Sequence, residues 1–154
     1  MEKRTRNING KRILLVEDQG AVRESLRLLL LRDAHTVIEA NNGAEAFALF
    51  CTGNFDLVVT DFEMPFVKGN ELAARIKRVA PQQRILMITA YEHRPTPDNP
   101  VDTVLTKPFD GTRLREALSQ LLAQPGEDSA GSAPNALSVR GQALSFETEI
   151  IASK

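Results

Sequence analysis

Short apolar runs alternate with segments of helical periodicity along this chain, and this alternation constrains the fold more than any other feature. The runs are too short for helices, and most lack the polar alternation of a half-exposed strand, which is typical of strands buried in a parallel sheet. They cover residues 11–16, 35–40, 57–61, 84–88 and 101–105. The order of elements therefore predicts an α/β domain with a doubly wound, five-stranded parallel sheet.

Four helices are predicted between and after these strands, at residues 21–32, 44–51, 70–79 and 111–122. Each carries apolar residues at helical spacing, and we expect Val79 to lie on the buried side of the third helix. Leu28 and Leu31 fall off the apolar face of the first helix and are expected to be exposed. His35 is expected at the surface without a function, and Cys51 as a small apolar residue that closes the second helix.

Three prolines interrupt the segment between the fourth and fifth strands. They are Pro95, Pro97 and Pro100. A proline inside a helix costs roughly 3 kcal/mol or more, since it removes a backbone donor and clashes with the preceding turn. We therefore expect the helix of this segment to be missing or reduced to a turn.

Composition indicates an ordinary globular domain flanked by two tails. The chain has 154 residues, 42% of them hydrophobic, and a net charge of -1, which argues against nucleic-acid binding through a basic surface. No apolar run approaches the length that spans a membrane, and the single cysteine fits a reducing cytoplasm. We assign residues 1–10 to an N-terminal tail and 11–123 to the domain. The Gly-, Ser- and Pro-rich stretch that begins residues 124–154 indicates a flexible tail or linker.

Polar residues that could react or bind ions lie at the carboxyl ends of the predicted strands. Glu17 and Asp18 follow the first strand, Asp61 ends the third, Thr89 follows the fourth and Lys107 follows the fifth. In a parallel sheet these ends meet at one edge, where open α/β sheets bind ligands. Three carboxylates together need a compensating cation, and oxygen ligands suit Mg²⁺. With a lysine and a hydroxyl beside them, they are the components of a phosphoryl-transfer site.

The motifs around these residues resemble the receiver domain of bacterial two-component response regulators. The resemblance covers about residues 10–123, and its motifs lie in order along the chain, at 16–18, 59–65, 88–90 and 105–109. It implies a flavodoxin-like sheet in the order 2-1-3-4-5. No single motif is specific alone, but the set is.

The resemblance also implies roles for the carboxylates. Asp61 would accept a phosphoryl group from the phosphohistidine of a histidine kinase. Glu17, Asp18 and Asp61 would hold Mg²⁺ together with the backbone carbonyl of Glu63. Receiver domains catalyse only their own phosphorylation and dephosphorylation, so we do not expect an enzyme in the ordinary sense.

Further roles follow from the resemblance for the neighbouring residues. Lys107 would pair with a phosphate oxygen, and the Lys107–Pro108 peptide bond is expected to be cis. Thr89 would turn its hydroxyl onto the phosphoryl group as the switch. Glu63 and Tyr91 stand at positions that border the phosphoryl group in this family.

Two departures from the family pattern concern how the domain would pass its signal to a partner. The segment between Thr89 and Lys107 is shorter than usual, and Val104 replaces the usual aromatic residue. That aromatic residue normally turns inward when the switch residue moves. We therefore expect partners to contact a different surface, either the first helix with Leu28 and Leu31 or the loop at 91–100.

Three functions remain open from the sequence. The preferred one is a stand-alone receiver that is phosphorylated by a sensor histidine kinase or phosphotransfer protein and switches a downstream protein interaction. The second is the receiver part of a longer DNA-binding regulator, and the third is an interaction module that does not need phosphorylation. We expect no membrane and no direct nucleic-acid contact from this chain, and a homodimer is a further alternative.

Overall fold

This computed structural model describes residues 9–91 and 99–123 of the chain. These residues contain five parallel strands and four helices. The strands form one sheet in the order β2-β1-β3-β4-β5, which confirms the predicted fold. The strands are β1 (Arg12–Val16), β2 (Thr36–Ala40), β3 (Leu57–Asp61), β4 (Ile85–Thr89) and β5 (Thr103–Thr106). The helices are α1 (Gly20–Leu31), α2 (Gly43–Thr52), α3 (Gly69–Val79) and α4 (Gly111–Ala123).

Hydrophobic clusters cover both faces of the sheet, because successive side chains of a strand point to opposite faces. On one face, Ile13 and Leu15 pack with buried leucines of α1 and α4. On the other, Leu14 and Val16 pack with α2 and α3. All four side chains are fully buried. The sheet is therefore held between two layers of helices, and only its edges and strand ends can carry a site.

Two sequence expectations within the domain were wrong. His35 is buried rather than at the surface. Its Nδ1 accepts a hydrogen bond of 3.1 Å from the backbone of Lys11, which satisfies this buried nitrogen, and burial lowers the pKa of the imidazole. Val79 is 62% exposed, because it is the last residue of α3 and the buried side of that helix ends at Ile76. Cys51 lies in the last turn of α2, as predicted, and is exposed. Leu28 and Leu31 are exposed, as predicted.

The connection between β4 and β5 is described only in part. None of residues 90–91 and 99–102 is helical. The predicted loss of the helix falls mostly on residues 92–98, which lie outside the described residues. The same holds for residues 1–8 and for the linker predicted at 124–154. Among the described helices, none has the length and apolar character needed to cross a membrane.

Candidate functional site

The register of the sheet brings the carboxyl ends of four strands to one edge. β3 lies between β1 and β4, so Asp61 at its end is central. Glu17 follows β1 directly, Thr89 ends β4, and Lys107 follows β5. The backbone pairs at this edge are Val16 with Thr60, Asp61 with Ile88, and Thr89 with Thr106. Side chains far apart in sequence therefore meet here, as the strand pattern predicts.

Three carboxylates form the centre of the site. Glu17, Asp18 and Asp61 each offer an oxygen atom, and these atoms all lie within 4.8 Å of one another. Glu17 is 1% exposed and Asp61 is 7% exposed. Negative charge is thus concentrated in a pocket of low solvent access, where it is costly without a cation.

Lys107 extends into this carboxylate cluster from the end of β5. Its Nζ lies 3.3 Å from Oδ1 of Asp61 and 3.9 Å from Oε2 of Glu17. Its backbone N–H donates a 2.8 Å hydrogen bond to the carbonyl of Thr89, which fixes the start of this loop to β4. The Lys107–Pro108 peptide bond is cis, as the family resemblance predicts.

Burial shifts the pKa values of two carboxyl groups in the cluster. Burial raises the pKa of Glu17 to about 7, and the nearby charge of Asp61 adds to this, while the amide of Gln19 and Lys107 oppose it. Burial also raises the pKa of Asp61, and Lys107 opposes that shift. Additional positive charge at this position would therefore stabilise the ionised forms.

Unsatisfied oxygen atoms in the cluster fit a metal ion. Glu17 Oε2 and Asp18 Oδ1 are buried without a hydrogen-bond partner among the described residues. The other oxygen of Glu17 accepts a 3.1 Å bond from the backbone of Gln19, which aims the carboxylate at the cluster. Carboxylate oxygens are the ligands of hard divalent cations. These three residues can therefore hold a metal ion.

The other predicted site residues lie at or just after the carboxyl ends of β3 and β4. Thr89 is fully buried, and its Oγ1 accepts a 3.2 Å hydrogen bond from the backbone of Tyr91, whose side chain is 61% exposed. The side chain of Glu63 forms an exposed ion pair of 3.1 Å with Lys68. The carboxylate of Glu63 is therefore engaged on the surface, while its backbone carbonyl is the part predicted to act as a ligand.

The loop between β3 and α3 contains two features that sequence reasoning missed. A Cβ atom on Gly69 would collide with the backbone carbonyl of Asp61, and the Gly69 N–H donates to the carbonyl of Phe62 at 3.0 Å. Phe66, at the surface of this loop, is 97% exposed and has a φ of 69°, a conformation that favours glycine. The glycine before the third helix was a visible signal for the first, whereas nothing marks Phe66.

Comparison with known proteins shows which sequences this chain resembles. The model of the response regulator receiver domain family matches residues 13–119. CpdR of Brucella abortus, a response regulator receiver protein, is 36% identical over 115 residues, or 72% of this chain and 93% of CpdR. The transcriptional regulatory protein TcrA of Mycobacterium tuberculosis is 35% identical over 120 residues, or 75% of this chain. The match spans only 46% of TcrA, about half its length.

Solved structures agree with these relatives. The response regulator TrrA of Thermotoga maritima, crystallised with Mg²⁺-BeF, is 37% identical, with a TM-score of 0.69 over 73% of this chain and 99% of TrrA. TrrA in complex with the histidine kinase ThkA matches with a TM-score of 0.67, over 73% of this chain and 98% of TrrA. The chain belongs to the response regulator receiver domain family of two-component signal transduction.

Proposed function

We propose that Asp61 accepts a phosphoryl group from a phosphohistidine of a sensor histidine kinase or phosphotransfer protein. An oxygen of the Asp61 carboxylate attacks the phosphorus, the P–N bond breaks, and the histidine nitrogen keeps the electron pair and takes up a proton. The single observation that carries the proposal is the position of Asp61, central at the carboxyl edge and in contact with Lys107.

Lys107 has two tasks in this proposal. Its ammonium group, 3.3 Å from Asp61, favours the ionised carboxylate that acts as nucleophile. It also pairs with the negative charge of the phosphoryl oxygens, which is the main form of stabilisation in phosphoryl transfer. The protein acts on itself in this reaction, and we propose no other enzymatic activity.

The metal of the proposal is Mg²⁺. Glu17, Asp18 and Asp61 would hold it through their carboxylates, and Glu63 through its backbone carbonyl. When bound, it supplies positive charge next to the phosphoryl oxygens. The buried oxygens of Glu17 and Asp18 that lack a hydrogen-bond partner among the described residues support this assignment, and TrrA has been crystallised with Mg²⁺-BeF.

We further propose that Thr89 is the switch. In this structure its hydroxyl oxygen accepts from the backbone of Tyr91. Turning the hydroxyl toward a phosphoryl group on Asp61 would release that amide and bias the loop after β4. A downstream protein or a second copy of the chain would then recognise the changed surface, in the cytoplasm.

Intact-protein mass spectrometry tests the proposal. The full chain is incubated with acetyl phosphate and Mg²⁺, beside Asp61→Asn and the control Glu71→Gln, an exposed carboxylate on α3 that pairs with Arg75. We expect one phosphoryl group on the unaltered protein and on the control, and none on Asp61→Asn. An unaltered protein that gains no phosphoryl group, or an equally modified Asp61→Asn variant, would contradict the proposal.

The output surface needs a separate experiment. Val104 is partly buried on the side of α2 and α3, where the family has an aromatic switch residue. We therefore propose that the signal leaves through α1, with exposed Leu28 and Leu31, or through residues 91–100. Chemical shifts recorded with and without beryllofluoride test this, and changes confined to residues 101–122 would contradict it.

A second form of the function is supported by TcrA. The chain covers 93% of CpdR but 46% of TcrA, a transcriptional regulatory protein, and we therefore keep the receiver part of a DNA-binding regulator as the second form. The complete open reading frame distinguishes the two, since the second requires a coding sequence for an output domain.

A further inference from the structure

Arg23 on α1 connects two strand ends beside the carboxylate cluster. Its Nη1 donates a 2.8 Å hydrogen bond to the backbone carbonyl of Glu17, and its Nε donates a 3.0 Å bond to Oε1 of Glu39. The side chain is only 20% exposed. A single planar guanidinium therefore joins the loop after β1 to the end of β2.

Both the N–H and the carbonyl of Glu17 are held by hydrogen bonds. Its N–H donates to the carbonyl of Ala40 at 3.2 Å, and its carbonyl accepts from Arg23. The next residue, Asp18, has a buried oxygen without a hydrogen-bond partner. The positions of both carboxylates thus depend on a backbone segment that Arg23 holds.

We propose that Arg23 is a positioning residue for the metal site and that Glu39 holds Arg23 in place. The inference rests on the proposed function, since it concerns Mg²⁺ at Glu17, Asp18 and Asp61. Groups behind the ligands orient them, and their loss weakens metal binding even though they never touch the metal. Arg23 fits this role because its bond goes to the backbone of Glu17.

A role for Arg23 through its charge and a role through its hold on the backbone predict opposite changes in Mg²⁺ affinity when Arg23 is replaced. Removing a cation near a metal site strengthens the binding of another cation by relieving repulsion. Releasing the backbone of Glu17 weakens binding, because the carboxylates must then be ordered when the metal binds. The direction of the change in Mg²⁺ affinity therefore distinguishes the two effects.

Arg27 provides a matched control on the same helix. It lies about one turn further along, bonds to Glu24 at 2.8 and 2.9 Å, and approaches Glu39 at 3.8 Å. Its hydrogen bonds are to a surface side chain rather than to the loop after β1. Arg27→Gln removes the same charge as Arg23→Gln while leaving the bond to Glu17 in place.

The experiment is titration calorimetry of the full-length protein with Mg²⁺ alone, together with thermal unfolding of each variant. We expect Arg23→Gln to weaken Mg²⁺ binding about three- to tenfold, a change that corresponds to losing the hydrogen bond to the backbone of Glu17. Arg27→Gln should bind Mg²⁺ as tightly as the unaltered protein or more tightly. Equal or tighter binding by Arg23→Gln would overturn the inference.

Two further variants keep the inference testable if Arg23→Gln does not fold. Glu39→Gln retains an oxygen acceptor for Nε and should keep Mg²⁺ affinity close to the original value. Glu39→Ala removes the acceptor and should weaken Mg²⁺ binding, by less than Arg23→Gln. Identical affinities for these two would overturn the role of Glu39. Failure of the unaltered protein to bind Mg²⁺ would instead overturn the proposed metal site, and this inference with it.

Discussion

Lys107 Nζ lies 3.3 Å from Asp61 Oδ1, so a cation on the loop after β5 contacts a carboxylate at the end of β3. The two residues come from strands that are not adjacent, because β4 lies between them. This contact joins the nucleophile of the proposed reaction to the group that stabilises its product. Together with the nearby carboxylates of Glu17 and Asp18, the site contains more acidic groups than one lysine can neutralise.

Replacement of Lys107 by Met should slow phosphorylation by acetyl phosphate about a hundredfold, since it removes the charge that stabilises the transferring group. Mg²⁺ affinity should not fall, because the metal ligands remain and a competing cation is gone. Stopped-flow or quenched mass spectrometry measures the rate, and calorimetry the affinity. Lys68→Met is the control, because Lys68 forms an exposed ion pair with Glu63. Equal rates for Lys107→Met and the control would contradict the prediction.

The stability of the metal-free protein should fall as pH rises from about 4.5 to about 7. The ordinary pKa of a glutamate is 4.5, and burial raises that of Glu17 to about 7, so in this range the folded state holds a proton that the unfolded state has lost. The loss of stability is complete above the folded pKa and amounts to about 1–3 kcal/mol.

Urea unfolding with a chelator, for the unaltered protein and Glu17→Gln, checks this pH dependence. His35 acts oppositely below its ordinary pKa of 6.5, since its folded pKa is lowered. The difference between the two proteins cancels that effect. We expect Glu17→Gln to become the more stable of the pair as the pH rises, and a difference that does not vary with pH would contradict the assignment.

Gly69→Ala should destabilise the protein by about 1–3 kcal/mol, because the added methyl group overlaps the carbonyl of Asp61 and forces the backbone apart. Gly20→Ala is the matched control, since there the new Cβ would meet only Arg23 Nη2, at 3.9 Å. Chemical denaturation gives both free energies of unfolding. A cost for Gly69→Ala no larger than that for Gly20→Ala would show that the loop is not packed as described.

The Phe66→Gly variant should have a free energy of unfolding about 1 kcal/mol higher than that of the Phe66→Ala variant. Both remove the exposed ring, but only glycine adopts the left-handed φ of 69° without steric cost. Thermal and chemical unfolding of the two variants measures the difference. Ala34→Gly, at the second non-glycine residue with a positive φ (62°) in the described part of the chain, should also stabilise the protein. A Phe66→Ala variant as stable as Phe66→Gly would contradict the backbone assignment.

The sequence predicts the fold and the edge that carries the site, because both depend on patterns that repeat along the chain. Apolar runs mark the strands, and a parallel arrangement brings their polar ends together whatever the helices do. The family resemblance supplied the strand order and the cis bond before Pro108, which the structure confirms. It also supplied the individual roles of the site residues, which the experiments above address.

Other features escaped prediction because they depend on contacts between distant segments. His35 resembles a surface residue in the sequence, yet it is buried and accepts a hydrogen bond from the backbone of Lys11, just before β1. Val79 continues an apolar pattern, but the helix ends there and exposes it. The bond from Arg23 to the backbone of Glu17 involves an atom that every residue possesses, so no side-chain pattern reveals it.

The most direct test of the central claim is to identify the modified residue. The full-length protein is treated with acetyl phosphate and Mg²⁺ and then with borohydride, which reduces an aspartyl phosphate to homoserine and leaves free carboxylates unchanged. Peptide mass spectrometry then locates the product. We predict homoserine at position 61 alone, and its absence when acetyl phosphate is omitted. A reduced residue at position 17 or 18, or no reduced residue at all, would contradict the assignment of Asp61 as phosphoacceptor.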